Sequence, residues 1–209
     1  MHKRSFLQGT LLAATLLSGL PLRAQTVDTA SVVRNYAELV SANYQDVLTS
    51  ALNLQRAIKA LTATPSAQGL DDAKKAWLAA REFYGQTEAF RFYSGPIDDD
   101  KGPEGRLNAW PLDESYIDSV AGKPKAGIVN NRKITINKAT LAKLNERGGE
   151  ENISSGWHAV EFLLWGQDLS ETGPGNRSFE DYVKGKTDNA ERRALYLTVA
   201  TELLVDDLS

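Results

Sequence analysis

From Thr29 to Ala63 the apolar side chains fall at Val33, Tyr36, Val40, Tyr44, Val47, Ala51, Leu54, Ile58 and Leu61. Steps of three and four, kept up over this length, put them on one stripe of a 3.6-residue helix. A helix this long buries its stripe only by lying against other helices. Asp28 stands where an N-cap belongs, and Pro65 after Thr64 stands where the helix must stop. A second helix is predicted from Gly69 to Tyr93, with Leu70, Ala73, Trp77, Ala80, Tyr84, Thr87 and Phe90 turned inward. The short Pro/Ser/Gly link between the two predicts antiparallel neighbours.

Beyond Tyr93 the pattern breaks. Ser94 to Pro111 holds three prolines, three glycines and clustered acids, which reads as a long ordered loop of the kind that carries function. A short helix is expected around Asp113 to Val120, then irregular chain to Asn137. Asn137 caps a helix over Lys138–Arg147, closed by Gly148 and Gly149. Ser154 or Ser155 starts a further helix that Gly166 ends. A loop from Gln167 to Lys186 follows, and a last helix begins near Asp188. That helix is still periodic at Leu203, Leu204 and Leu208 where the sequence stops, as a fragment or truncated product would be. No alternating run is long enough for a sheet and no internal period repeats. The fold class is all-α, an up-and-down helical bundle.

The first residues obey a different logic. Met1-His2-Lys3-Arg4 is basic, Phe6 to Leu20 is apolar, and Pro21-Leu22-Arg23-Ala24 supplies the small-residue exit of a secretory signal. Residues 1–24 are therefore expected to leave, with 25–209 as the helical domain. A retained N-terminal anchor is the alternative, although the apolar run is short and interrupted for a membrane span. The leader carries Lys3, Arg4 and Arg23 and no acid, so its loss moves the formal charge from −3 to −6. With no basic stripe to neutralise phosphates, nucleic acid is excluded as a partner. Cysteine is absent, which leaves neither disulfides nor a site for lipid attachment after the leader. Losing His2 makes His158 the single histidine of the mature chain.

That histidine lies in Ser154-Ser155-Gly156-Trp157-His158-Ala159-Val160-Glu161-Phe162-Leu163-Leu164-Trp165-Gly166, an apolar helix in which His158 and Glu161 alone can carry charge. Three residues apart, they share a face. Burying both is costly without a partner or a metal. Imidazole plus carboxylate is half a site for iron, zinc or copper. The H-E-x-x-H peptidase signature is missing, and non-haem oxygenase and di-iron sites each want a second histidine. What survives is an oxygen-rich site with one imidazole, suited to a hard or borderline cation such as ferric iron. A hydrogen-bonded core pair is the structural alternative. Other candidates are Glu88 and Arg91, one turn apart and readable as a surface ion pair. Asp98, Asp99 and Asp100 offer loop oxygens or a solvated acidic run. Asp113 and Glu114 offer ligands or a helix cap. Trp110 and Trp165 read as core more readily than as cleft lining.

GWHAVEFLLWGQDL, with Gly156-x-His158-x-x-Glu161, resembles the G-x-H-x-x-E signature of the imelysin family. FRFYSGPIDDDKGPEGRLNAWPLDESYID resembles that family's second block, and GPGNRSFEDY fits the later loop. The resemblance covers most of the mature chain. It implies an all-helical periplasmic or envelope protein linked to iron, built as two bundle halves with the signature helix beside a cleft between them. This chain would supply the first half and the start of the second. It implies Gly156, His158 and Glu161 as signature residues: Gly156 admitting a close backbone, His158 a neutral imidazole ligand, Glu161 a ligand or the group that orients His158. The expected cargo is a metal ion, iron first with zinc or copper open, or an iron-bearing ligand. An envelope permease or receptor is the expected partner. A non-catalytic role in iron uptake or homeostasis is expected, with a metallopeptidase and a structural or adhesin-like protein as the alternatives.

Overall fold

The computed structural model describes residues 27–209; the expected leader, 1–24, lies outside them. Helix α1 spans Thr29–Ala63, opened by an Asp28 carboxylate that accepts from the Ala30 amide at 3.1 Å. Helix α2 spans Ala67–Gln86 and is capped by Ser66, whose hydroxyl accepts from the Gly69 amide at 3.0 Å. It starts two residues before the predicted point and stops well before Tyr93. Thr87–Phe90 is a 3-10 turn, Arg91 is extended, and Phe92 takes a φ of 70°. The Thr87 hydroxyl donates to the Tyr84 carbonyl at 2.7 Å, and the buried Arg91 turns in to meet Glu104, which pulls the chain off the helix axis.

Four short helices follow: α3 (Glu104–Leu107), α4 (Glu114–Ile117), α5 (Gly127–Asn130) and α6 (Lys138–Leu144). Asn137 caps α6 as predicted, but α6 ends at Leu144 rather than Arg147. The Asn145 side chain there donates to Gly105 O at 2.8 Å and accepts from the Ser154 amide at 3.0 Å, and Glu146 has a positive φ. α4 ends before Val120 because Asp118 is extended and sends its carboxylate into the interior. Helix α7 (Gly156–Trp165) ends at Gly166 with φ 72°, and α8 covers Ala190–Asp207. α5 and a 3-10 turn at Phe179–Tyr182 sit in stretches read as irregular; each is four residues long, too short to show a period.

α1 packs on α2 and α8, and α7 packs on α8 and α2, which closes a ring of four helices around one core. Lys59 meets Glu202 at 3.1 Å and Thr62 meets Thr198 at 3.4 Å, so α1 and α8 run antiparallel. The core holds Val47, Leu54, Ile58, Leu61, Tyr84, Trp157, Leu163, Leu164, Tyr196 and Leu197. Among the described residues there is no strand beyond an isolated bridge between Val120 and Lys123. No described helix is long and apolar enough to cross a membrane.

The inward stripe of α1 is buried from Asn43 onward only. Val33 and Tyr36, expected inside, are 62% and 42% exposed. α2 ends opposite Asn43, whose amide donates to Gln86 at 3.2 Å, so the first turns of α1 run past their neighbour. Only the rings of Phe90 and Tyr93 reach back, at 5.8 and 6.2 Å from Tyr36.

Candidate functional site

α7 is clamped at both ends. Gly156 has φ 82°, and a Cβ there would collide with the carbonyls of Arg106 and Leu107, so only glycine lets α3 approach this closely. The Ser155 hydroxyl donates to Arg106 O at 3.0 Å, and the Tyr196 hydroxyl donates to Ser154 O at 2.9 Å. Trp77 Nε1 donates to Trp157 O at 3.1 Å. At the far end the Arg177 amide donates to Trp165 O at 2.8 Å, Tyr182 donates to Leu163 O, and Gly175 lies against the Trp165 and Gly166 carbonyls. These contacts set which way the α7 side chains point.

His158 Nδ1 lies 3.1 Å from Glu161 Oε2. An ionised carboxylate can only accept, so Nδ1 is the donor, and in the neutral form of the ring the lone pair lies on Nε2. Nε2 makes no hydrogen bond to the described residues. Glu161 thus orients the imidazole in the manner of the outer carboxylates that steer metal-bound histidines. The pair is not sealed from water: the side chains are 17% and 42% exposed. They line a cavity of about 960 Å³ with Trp77, Trp110, Trp165, Phe162, Asp113 and Glu114. Trp110, expected in the core, is 68% exposed, its ring tilted over His158 at 4.8 Å. Trp165 is half-buried and packs edge-on against Trp77 at 5.3 Å, so it too forms cavity wall. Trp110 corrects the core assignment, while Trp165 both packs on the core and lines the cavity.

Asp113 is committed to capping α4, accepting from the Ser115 amide at 2.9 Å and the Ser115 hydroxyl at 2.7 Å. Burial holds the Glu114 carboxyl above the usual carboxylate range, partly offset by its hydrogen bond with Gln167. Glu88, Arg91 and Asp98 lie elsewhere. Arg91 is buried rather than on the surface, 3.2 Å from Glu88 and paired with Glu104, which also accepts from Tyr84 OH at 2.8 Å. Asp98 accepts from the amides of Phe92 (2.6 Å) and Gly95 (2.8 Å), and Asp99 from that of Lys101 (2.8 Å), while Asp100 is exposed. Asp98 and Asp99 hold the 92–103 loop in shape, and none of these groups lines the cavity. Among the described residues no three His, Asp or Glu side chains gather around one point. The site therefore offers one oriented imidazole, not a finished coordination shell.

Two charged groups escaped the sequence reading. Arg81 lies over the rings of Tyr84, Trp157 and Trp77 at 5.3, 5.9 and 6.0 Å, and donates to Asn108 at 2.9 Å. Burial pushes its pKa down, while Glu161 pulls it up. Its place four residues after Trp77 and three before Tyr84 was the available signal. The fully buried Asp118 pairs with Arg193 at 2.5 Å and Arg177 at 3.5 Å, behind the end of α7. Partners 75 and 59 residues away leave no local signal.

The sequence model of the imelysin family matches residues 40–209. "Iron-regulated protein A" of Synechococcus elongatus is 31% identical over 153 residues, 73% of this chain and 36% of its own length. A solved chain described as an iron-regulated protein A precursor, from Parabacteroides distasonis, superposes with a TM-score of 0.54 at 23% identity, over 80% of this chain and 39% of that one. The latter likeness speaks for the all-helical fold. The chain thus spans little more than a third of either relative. With the signature helix, its flanking blocks and most of the length accounted for, the chain belongs to the imelysin family.

Proposed function

We propose that this chain is an exported envelope protein that captures iron as cargo on His158, in uptake or homeostasis. Residues 1–24 act as its signal and 25–209 as the binding domain, which hands the metal to an envelope permease or receptor. The observation that carries the reading is the 3.1 Å contact of His158 Nδ1 with Glu161, which leaves Nε2 unengaged in a large cavity. The iron-regulated relative supports the choice of metal. The alternative is a metallopeptidase, which would need two further protein ligands beside His158 and an open water position.

The test is calorimetric titration of iron, zinc and copper, as aqueous ions and as complexes with open coordination positions, into the mature protein. His158→Ala and Glu161→Ala are run alongside. One site is expected in the parent, with loss of binding in His158→Ala and weakening by about 10–100-fold in Glu161→Ala. Identical binding by all three proteins would reject the proposal.

A further inference from the structure

The cavity is too large and too aromatic for the donor set inside it. An ion with six waters fills roughly 200 Å³ at about 30 Å³ per water. The cavity measures about 960 Å³, the scale of pockets that enclose organic molecules. Three of the four tryptophans, Trp77, Trp110 and Trp165, form its walls with Phe162 and Leu112. Such walls give a hydrated ion no ligand and cost it solvation, whereas they bury and stack flat organic rings. Trp110 is 68% exposed while already tilted over His158, so one face of an indole adjoins the imidazole. The protein supplies one directed metal donor. The rim charges have a sign: Asp113, Glu114, Glu151, Glu161 and Asp168 stand against Lys123. Cations are drawn in and anions opposed.

We infer that the cavity takes a metal already bound to a planar, neutral organic ligand, so that the complex is cationic. His158 Nε2 fills one open coordination position and the Trp110, Trp165 and Trp77 rings enclose the organic part. The missing donors then arrive with the cargo. This rests on the reading of His158 as a metal ligand and narrows the cargo from an ion to a class of complex. Trp110 is its specificity-determining residue.

Zinc, which is redox-silent, allows one metal to be compared in three forms by calorimetry. These are the aqueous ion, the cationic mono-phenanthroline complex and the anionic nitrilotriacetate complex, with free phenanthroline as the organic part alone. The phenanthroline complex is expected to bind at least tenfold more tightly than each of the other three. His158→Ala should bring it down to the level of free phenanthroline. Trp110→Ala should weaken the phenanthroline complex about tenfold more than it weakens the aqueous ion; Trp110 is exposed enough for that variant to fold. The inference is overturned if the aqueous ion or the anionic complex binds as well as the cationic one with His158 dependence intact, a result that keeps His158 as a ligand. Insensitivity to Trp110→Ala, or equal binding of free phenanthroline, also overturns it. If no form depends on His158, the iron-capture reading falls as well.

Discussion

A carboxylate bound to one nitrogen of an imidazole decides what the other nitrogen can do. With Glu161 Oε2 at 3.1 Å from His158 Nδ1, the lone pair of the neutral ring is assigned to Nε2, and the Glu161 side chain stays 42% exposed. The chemistry of the pair was legible from the i, i+3 spacing; its half-open setting was not. Exposure depends on whether another element covers that face of α7, and the ring set beside His158 is that of Trp110, at 4.8 Å. Glu114 shows the same dependence on distant neighbours. Burial raises its pKa, so the folded protein binds this proton more readily than the unfolded chain. The linked stability is present at low pH and lost as pH rises through the folded-state pKa. Glu114→Gln removes the ionisation while keeping a partner for Gln167. The variant should melt above the parent at pH 7, with the gap closing below about pH 4; thermal melts across that range check it.

Helices here end where a side chain finds something better to do than continue the ladder. Asp28 and Asn137 cap α1 and α6, and both were readable because a cap is written within three residues of its helix; Ser66, which caps α2, was passed over when the start was placed at Gly69. The ends of α2, α4 and α6 were not readable, because Arg91, Asp118 and Asn145 leave the helix for partners 9 to 75 residues away. α7 starts at a tightly constrained junction of its own. Gly156→Ala would combine a left-handed φ with a Cβ against two carbonyls, and should cost about 3 kcal/mol in denaturant unfolding. It should also weaken cargo binding, since His158 follows two residues later.

The bundle is unevenly bound together. At one end the buried Asp118–Arg193–Arg177 group ties α4, α8 and the Gly166 loop. At the other, the first turns of α1 carry Val32, Val33, Tyr36 and Leu39 largely into solvent. Removing one partner of a buried ion pair strands the others, whereas an exposed apolar site contributes little. Asp118→Ala should therefore lose about 3–5 kcal/mol and Val33→Lys should stay within about 0.5 kcal/mol of the parent, measured by chemical denaturation on the same preparation. Comparable losses would mean that the start of α1 is packed in solution.

Helical class, the α1–α2 hairpin, the signature helix and the His158–Glu161 pair were available from residue order, because periodicity and capping act over a few residues. The cavity, the place of Trp110 beside His158, the removal of Glu88, Arg91 and Asp98 from the site, and the buried Asp118 group came from the folded chain. Each of these depends on which distant surfaces meet and exclude water, and that is set by packing rather than by spacing along the chain.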